Sequence, residues 1–107
     1  MLKDLENMAL LFDFYGALLT DRQQELMQAY YLEDLSLAEI AGAGGVSRQA
    51  VHDLIKRADA ALYEYEAKLG FVREYRQRQE RLTRLEEALD RGDLASARAI
   101  LEAVKTE

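Results

Sequence analysis

The chain has 107 residues, half of them hydrophobic and 32% charged, with a net charge of −6, and so reads as a folded acidic chain just large enough for one core. The absence of cysteine excludes disulfides and thiolate metal sites, and a single histidine, His52, excludes a multi-histidine metal centre. No apolar run approaches the roughly 20 residues of a membrane span and no signal-peptide pattern opens the chain, so a cytoplasmic protein without membrane insertion is expected.

Proline is absent, which leaves helices unbroken, and the apolar spacing is helical almost everywhere. A first helix is predicted from about Leu2 to Leu19. It carries one stripe of Leu5, Met8, Phe12, Tyr15 and Leu19. Leu11, Phe14 and Leu18 form a second stripe about 100° away. A helix apolar over so wide an arc must bury two sides, one of them a candidate homodimer seam. Thr20 and Gln23 form a capping box for a second helix, whose apolar side is Leu26, Met27, Tyr30 and Tyr31.

Ser36 and Glu39 open a short third helix that ends in Gly42-Ala43-Gly44-Gly45. Ser47 caps a fourth, ending near Gly70, where glycine suits a left-handed C-cap. A fifth runs from Phe71 to about Leu89 and is stopped by Arg91-Gly92-Asp93. The sixth, Leu94 to Val104, carries Leu94, Ala97, Leu101 and Val104 as its stripe. The expected fold is all-α, with a helix-turn-helix domain over residues 1–70 and a helical C-terminal arm over 71–107.

The third and fourth helices have the chemistry of a helix-turn-helix. Ala41 is the small residue at the crossing and Gly45 the turn; Ile40, Val46, Val51 and Leu54 are the apolar locking set. Gly44 departs from the pattern, since a bulky apolar residue usually stands there. Each interior glycine costs a helix about 1 kcal/mol, so this turn is expected to be loose.

On the fourth helix Ala50, Val51, Leu54, Ile55, Ala58, Ala61, Leu62, Tyr65 and Leu69 share one side. Arg48, Gln49, His52 and Lys56 lie on the other, with Arg57 beside them. Arginine pairs bidentately with guanine and glutamine with adenine; Ser47 and the lysine suit phosphate. Asp59, Tyr63 and Glu66 continue the same outer face and would repel a phosphate backbone, which limits contact to the first three turns.

The acidity is uneven. Residues 1–34 hold two basic and seven acidic side chains, whereas residues 73–84 hold five arginines against Glu74 and Glu80. Arg73, Arg76, Arg81 and Arg84 form a basic stripe opposite Phe71, Tyr75, Leu82 and Leu89, a second candidate for phosphate or an acidic partner.

The landmarks "LFDFYGALLT", "YYLEDLSLAEIA" and "VSRQAVHDLIKR" resemble the YlxM family of bacterial helix-turn-helix proteins over about residues 5–75, with the family pattern fading in the arginine-rich arm. That family is similar to region 4 of sigma-70-type factors. The resemblance implies a cytoplasmic regulator or accessory protein associated with the signal recognition particle through gene position.

No converging acid, base, nucleophile or phosphate loop is present: Gly42, Gly44 and Gly45 lack the Walker spacing, and no cofactor or enzymatic activity is expected. Two readings remain. One is a DNA- or RNA-binding regulator acting through the fourth helix. The other is an adaptor that binds the signal recognition particle's protein or RNA, with the helix-turn-helix as scaffold.

Overall fold

The computed structural model describes residues 5–106; the expected helix start at Leu2 lies outside them. The order is α1 (Leu5–Tyr15), a 3₁₀ turn (Gly16–Leu18), α2 (Asp21–Met27) widening into a π turn (Gln28–Leu32), α3 (Leu37–Gly44), α4 (Arg48–Leu69), α5 (Phe71–Asp90) and α6 (Leu94–Lys105). No strand occurs among the described residues. The chain divides into two compact units, Met1–Gly70 and Phe71–Glu107.

Local chemistry sets most of the helix ends. Thr20 Oγ1 accepts from the Gln23 amide at 3.1 Å, and the Gln23 side chain accepts from the Thr20 amide at 3.0 Å. Ser36 and Glu39 do the same for α3, and Ser47 Oγ accepts from the Ala50 amide at 3.1 Å. Each bond satisfies an amide that the first turn of a helix leaves without a partner. Gly45 and Gly70 close α3 and α4 in the left-handed region, at φ 66° and 68°.

α4 runs through the middle of the first unit and packs against α1, α2 and α3. Its Val51, Ala58 and Leu62 are fully buried, and Met8, Leu11, Tyr15, Leu26 and Met27 close over them. Leu69 belongs to the face expected inside, yet it is exposed at the end of α4.

Two elements differ from the periodicity reading. The first helix does not continue to Leu19: it stops at Tyr15 and tightens into the 3₁₀ turn, with the Leu19 amide bonded to Gly16 O at 3.0 Å. Gly16 lets the Phe12 ring pack closely there: a methyl group at this position would lie 3.3 Å from the ring and push it back by a few tenths of an ångström. α2 widens instead: the Glu33 amide bonds Gln28 O and the Leu35 amide bonds Ala29 O, both at 2.9 Å. In this wide turn Tyr30 and Tyr31 stand edge to face, 4.9 Å between ring centres.

The two stripes expected on the first helix are also redistributed. Met8, Leu11, Tyr15 and Leu19 all enter the first unit's core, while Leu5, Phe14 and Leu18 stay on the surface. Neither stripe is left whole for a second copy.

The second unit is an antiparallel pair, α5 and α6, turned at Gly92 and capped by Asp93, whose Oδ1 accepts from the Ser96 amide at 3.0 Å. Buried Ala88 and Ala97 let the two helices approach closely. Ile100 and Val104 are half-buried beside Ala97, but Leu94 and Leu101, expected on the packed stripe, are exposed.

Candidate nucleic-acid interface

α3, the glycine turn and α4 form the helix-turn-helix. Ile40, Ala41 and Val51 are buried at the crossing and Leu54 is half-buried, as the locking chemistry requires. Val46 is the exception. It is 41% exposed, because nothing at Gly44 covers it: a methyl group there would sit 3.8 Å from Val46 Cγ2 and 3.7 Å from Arg22 Nη2. A bulky residue at Gly44 would have covered Val46.

Ser47, Arg48, Gln49, His52, Lys56 and Arg57 all lie exposed on the first three turns of α4, held at the front by the Ser47 cap and from behind by Val51 and Ile55. Among the described residues, no carboxylate lies within ion-pair distance of Arg48, Lys56 or Arg57.

The residue-by-residue reading overlooked Asp53. Its Oδ1 accepts from Gln49 Nε2 at 2.9 Å and lies 3.6 Å from His52 Nδ1. The signal was in the sequence, since Gln49 and Asp53 are four apart on a helix and such pairs meet. Asp53 fixes the Gln49 amide nitrogen and leaves its carbonyl oxygen as the group to offer a partner. It also puts one negative charge into an otherwise cationic face.

Asp59, Tyr63 and Glu66 follow His52 and Lys56 along the helix, but only Tyr63 stays open, at 47% exposed; Asp59 and Glu66 are half-buried, so they present less charge than expected. Each is hydrogen-bonded to another element. Tyr31 Oη donates to Asp59 Oδ2 at 2.9 Å, Tyr15 Oη donates to Glu66 Oε1 at 2.6 Å, and Asn7 Nδ2 donates to Tyr63 Oη at 3.0 Å. Burial pushes the Asp59 carboxyl above the ordinary aspartate value against the opposing pull of the Tyr31 hydroxyl, and its Oδ1 is buried without a hydrogen-bond partner. Burial and the Asp59 bond also hold the Tyr31 phenol well above its usual value.

A cleft of about 210 Å³ runs along this junction, lined by Tyr30, Tyr31, Leu37, His52, Ile55, Lys56 and Asp59. The first three turns of α4 thus meet an aromatic edge.

The arginine stripe belongs to the second unit. Arg73, Arg76 and Arg84 are exposed on α5 and Arg81 is half-buried, so the stripe is narrower than its spacing implied. No group of three or more His, Cys, Asp or Glu able to hold a metal ion occurs among the described residues. No helix among them is long and apolar enough to cross a membrane.

A short helix, a glycine turn and a longer helix with exposed cationic first turns define a helix-turn-helix protein. The chain belongs to the family described as "Putative helix-turn-helix protein, YlxM / p13 like" (UPF0122), whose model matches residues 2–100. The likeness therefore extends through α5 and most of α6 and does not fade after Tyr75. A UPF0122 protein of Symbiobacterium thermophilum is 64% identical over 106 residues, covering 99% of both chains. One from Halalkalibacterium halodurans is 47% identical over 107 residues, covering 99% of this chain and 98% of its own. One from Desulforamulus reducens is 48% identical over 89 residues, covering 83% and 76%.

Proposed function

We propose that this protein is a non-enzymatic regulator that binds nucleic acid by seating the first three turns of α4 in the major groove of DNA. The observation that carries the reading is the exposed set Arg48, Lys56 and Arg57 at the start of a helix anchored by buried Val51 and Ile55. Arg48 and Gln49 reach base edges, while Lys56, Arg57 and Ser47 hold phosphate. The half-burial of Asp59 and Glu66 lessens the charge that these two carboxylates present to the approach. Asp53 remains, and with few phosphate contacts the affinity is modest. Helix-turn-helix proteins gain from two half-sites, so a second copy belongs to this reading; Phe14 and Leu18 are what α1 still exposes for one.

The test is binding as a function of salt. Each lost phosphate contact lowers the slope of log affinity against log salt by about 0.9. Replacing Arg48 and Lys56 by alanine should weaken binding to duplex DNA at least about tenfold and lower the slope by about 0.9, the share of the Lys56 phosphate contact. Unchanged binding in this double variant removes α4 from the mechanism.

The exposed Arg73, Arg76 and Arg84 support a second reading, an adaptor for the signal recognition particle that touches its RNA through α5. Guanidinium groups suit RNA phosphates and unpaired bases, and an RNA major groove is too narrow for α4 to enter. Measured side by side, Arg76→Ala with Arg84→Ala should then impair RNA binding and spare DNA. The Arg48 and Lys56 substitutions should do the opposite.

A further inference from the structure

The α5–α6 hairpin leaves its largest apolar side chains outside. Val72, Ala88 and Ala97 are its only fully buried residues among those described, whereas Leu82 is 40% exposed, Leu89 54%, Leu94 72% and Leu101 43%. Successive residues turn by about 100° around a helix. Leu82 and Leu89 therefore fall in one row with Phe71 and Tyr75, about 100° from Ala88, which faces α6. Leu94 and Leu101 form a row on α6 set off from Ala97 by about 40–60°. Because the two helices run antiparallel, both rows turn to the same side of the hairpin. Leu89 and Leu94 flank the Gly92 turn, and Leu82 and Leu101 stand about 10 Å further along.

On this side of α5, positions 71, 75, 78, 82, 85 and 89 follow the alternating four-three spacing of a helix seam. A unit this small has too little core of its own; below about 40 residues, association is one of the usual remedies.

Charge names the occupant. α5 is polarised: five arginines between Arg73 and Arg84 precede Glu86, Glu87 and Asp90. A second α5 laid parallel would set arginines against arginines. Laid antiparallel and crossing at Leu82, it sets the net-positive half of one helix on the net-negative half of the other. Opposite signs meet at 78/86 and 80/84 near the crossing, and like signs at 73/91 and 74/90 towards the ends. Residues equally far before and after Leu82 then face one another: Arg78 meets the partner's Glu86, and Tyr75 meets the partner's Leu89.

We propose that the leucine face of this hairpin docks on the same face of a second copy of the chain, α5 crossing α5 antiparallel at Leu82, to form a four-helix bundle. Such a two-fold interface is self-complementary, each contact occurring twice. It goes beyond the nucleic-acid reading, because it holds whether or not α4 touches DNA.

The experiment uses the full chain without nucleic acid. Light scattering at micromolar concentration should give twice the chain mass. Leu82→Glu and Leu89→Glu should each weaken association about tenfold or more, with helicity retained because both side chains are exposed within the chain. Arg78→Glu and Glu86→Arg should each weaken it, and the two together should restore it, a rescue that a folding defect cannot mimic. Since the chain has no cysteine, Leu82→Cys should form an interchain disulfide with its own copy under mild oxidation, and Ala60→Cys on exposed α4 should not. A monomer mass up to roughly 100 µM overturns the proposal. So does a dimer that survives the Leu82 and Leu89 changes but separates on Phe14→Glu with Leu18→Glu.

Discussion

Two glycines three positions apart provide a sharp test of the helix-turn-helix geometry. Gly42 lies within α3 and Gly45 follows it, at φ 66°. A methyl group would meet nothing within 4 Å at either place. Contacts therefore contribute nothing to the difference between the two sites, and only backbone conformation does. Gly42→Ala should stabilise the fold by about 1 kcal/mol, since alanine favours the helix and restricts the unfolded chain. Gly45→Ala should cost about 1–2 kcal/mol, because a Cβ in the left-handed region crowds the following carbonyl. For a domain of this size roughly 4–8 °C accompanies each kcal/mol, so the melting points should move in opposite directions by several degrees. Far-ultraviolet circular dichroism during heating gives both values. Urea titration should show shifted midpoints with an unchanged slope, the mark of altered stability alone. Destabilisation by Gly42→Ala, or free tolerance of Gly45→Ala, would refute the turn geometry on which the placement of α4 rests.

Asp59 should give stability a pH signature: its folded-state value is raised, so its contribution is fully present below the ordinary aspartate value and is lost as pH rises through the raised one. Asp59→Asn does not titrate, so its stability relative to the parent should improve from acid toward neutral pH; urea unfolding across that range that shows no such trend would contradict the burial of this carboxyl. Tyr15→Phe removes the 2.6 Å bond to Glu66 and should cost about 1.5–3 kcal/mol, the range for a hydrogen bond to a charged group. A loss below about 0.5 kcal/mol would show that water replaces the phenol there without penalty.

Much of the fold was legible in the residues themselves. The caps at Thr20, Ser36 and Ser47 and the glycines at 45, 70 and 92 stand where the chain's chemistry put them. The exposed face at the start of α4 was readable too, because helical periodicity alone separates Arg48, His52 and Lys56 from Val51 and Ile55. Gln49 and Asp53 were equally local, and four-residue spacing would have paired them.

What the sequence determined by itself is what neighbours within about four residues decide: the capped helix starts, the stops at Gly45, Gly70 and Gly92, and the apolar face of α4 as far as Leu62. Tertiary structure decided the rest. Asp59 and Glu66 have the polarity of a solvent face, and they are half-buried because hydroxyl groups 28 and 51 residues away in the chain meet them. Val46 has the hydrophobicity of a core residue and remains exposed because Gly44 supplies no side chain to cover it. Leu94 and Leu101 share the spacing of a packed stripe, yet α6 turns Ala97 toward α5 and leaves the leucines outside. Periodicity defines a face without naming its neighbour. Burial depends on which distant element arrives there, and that is a property of the packed chain.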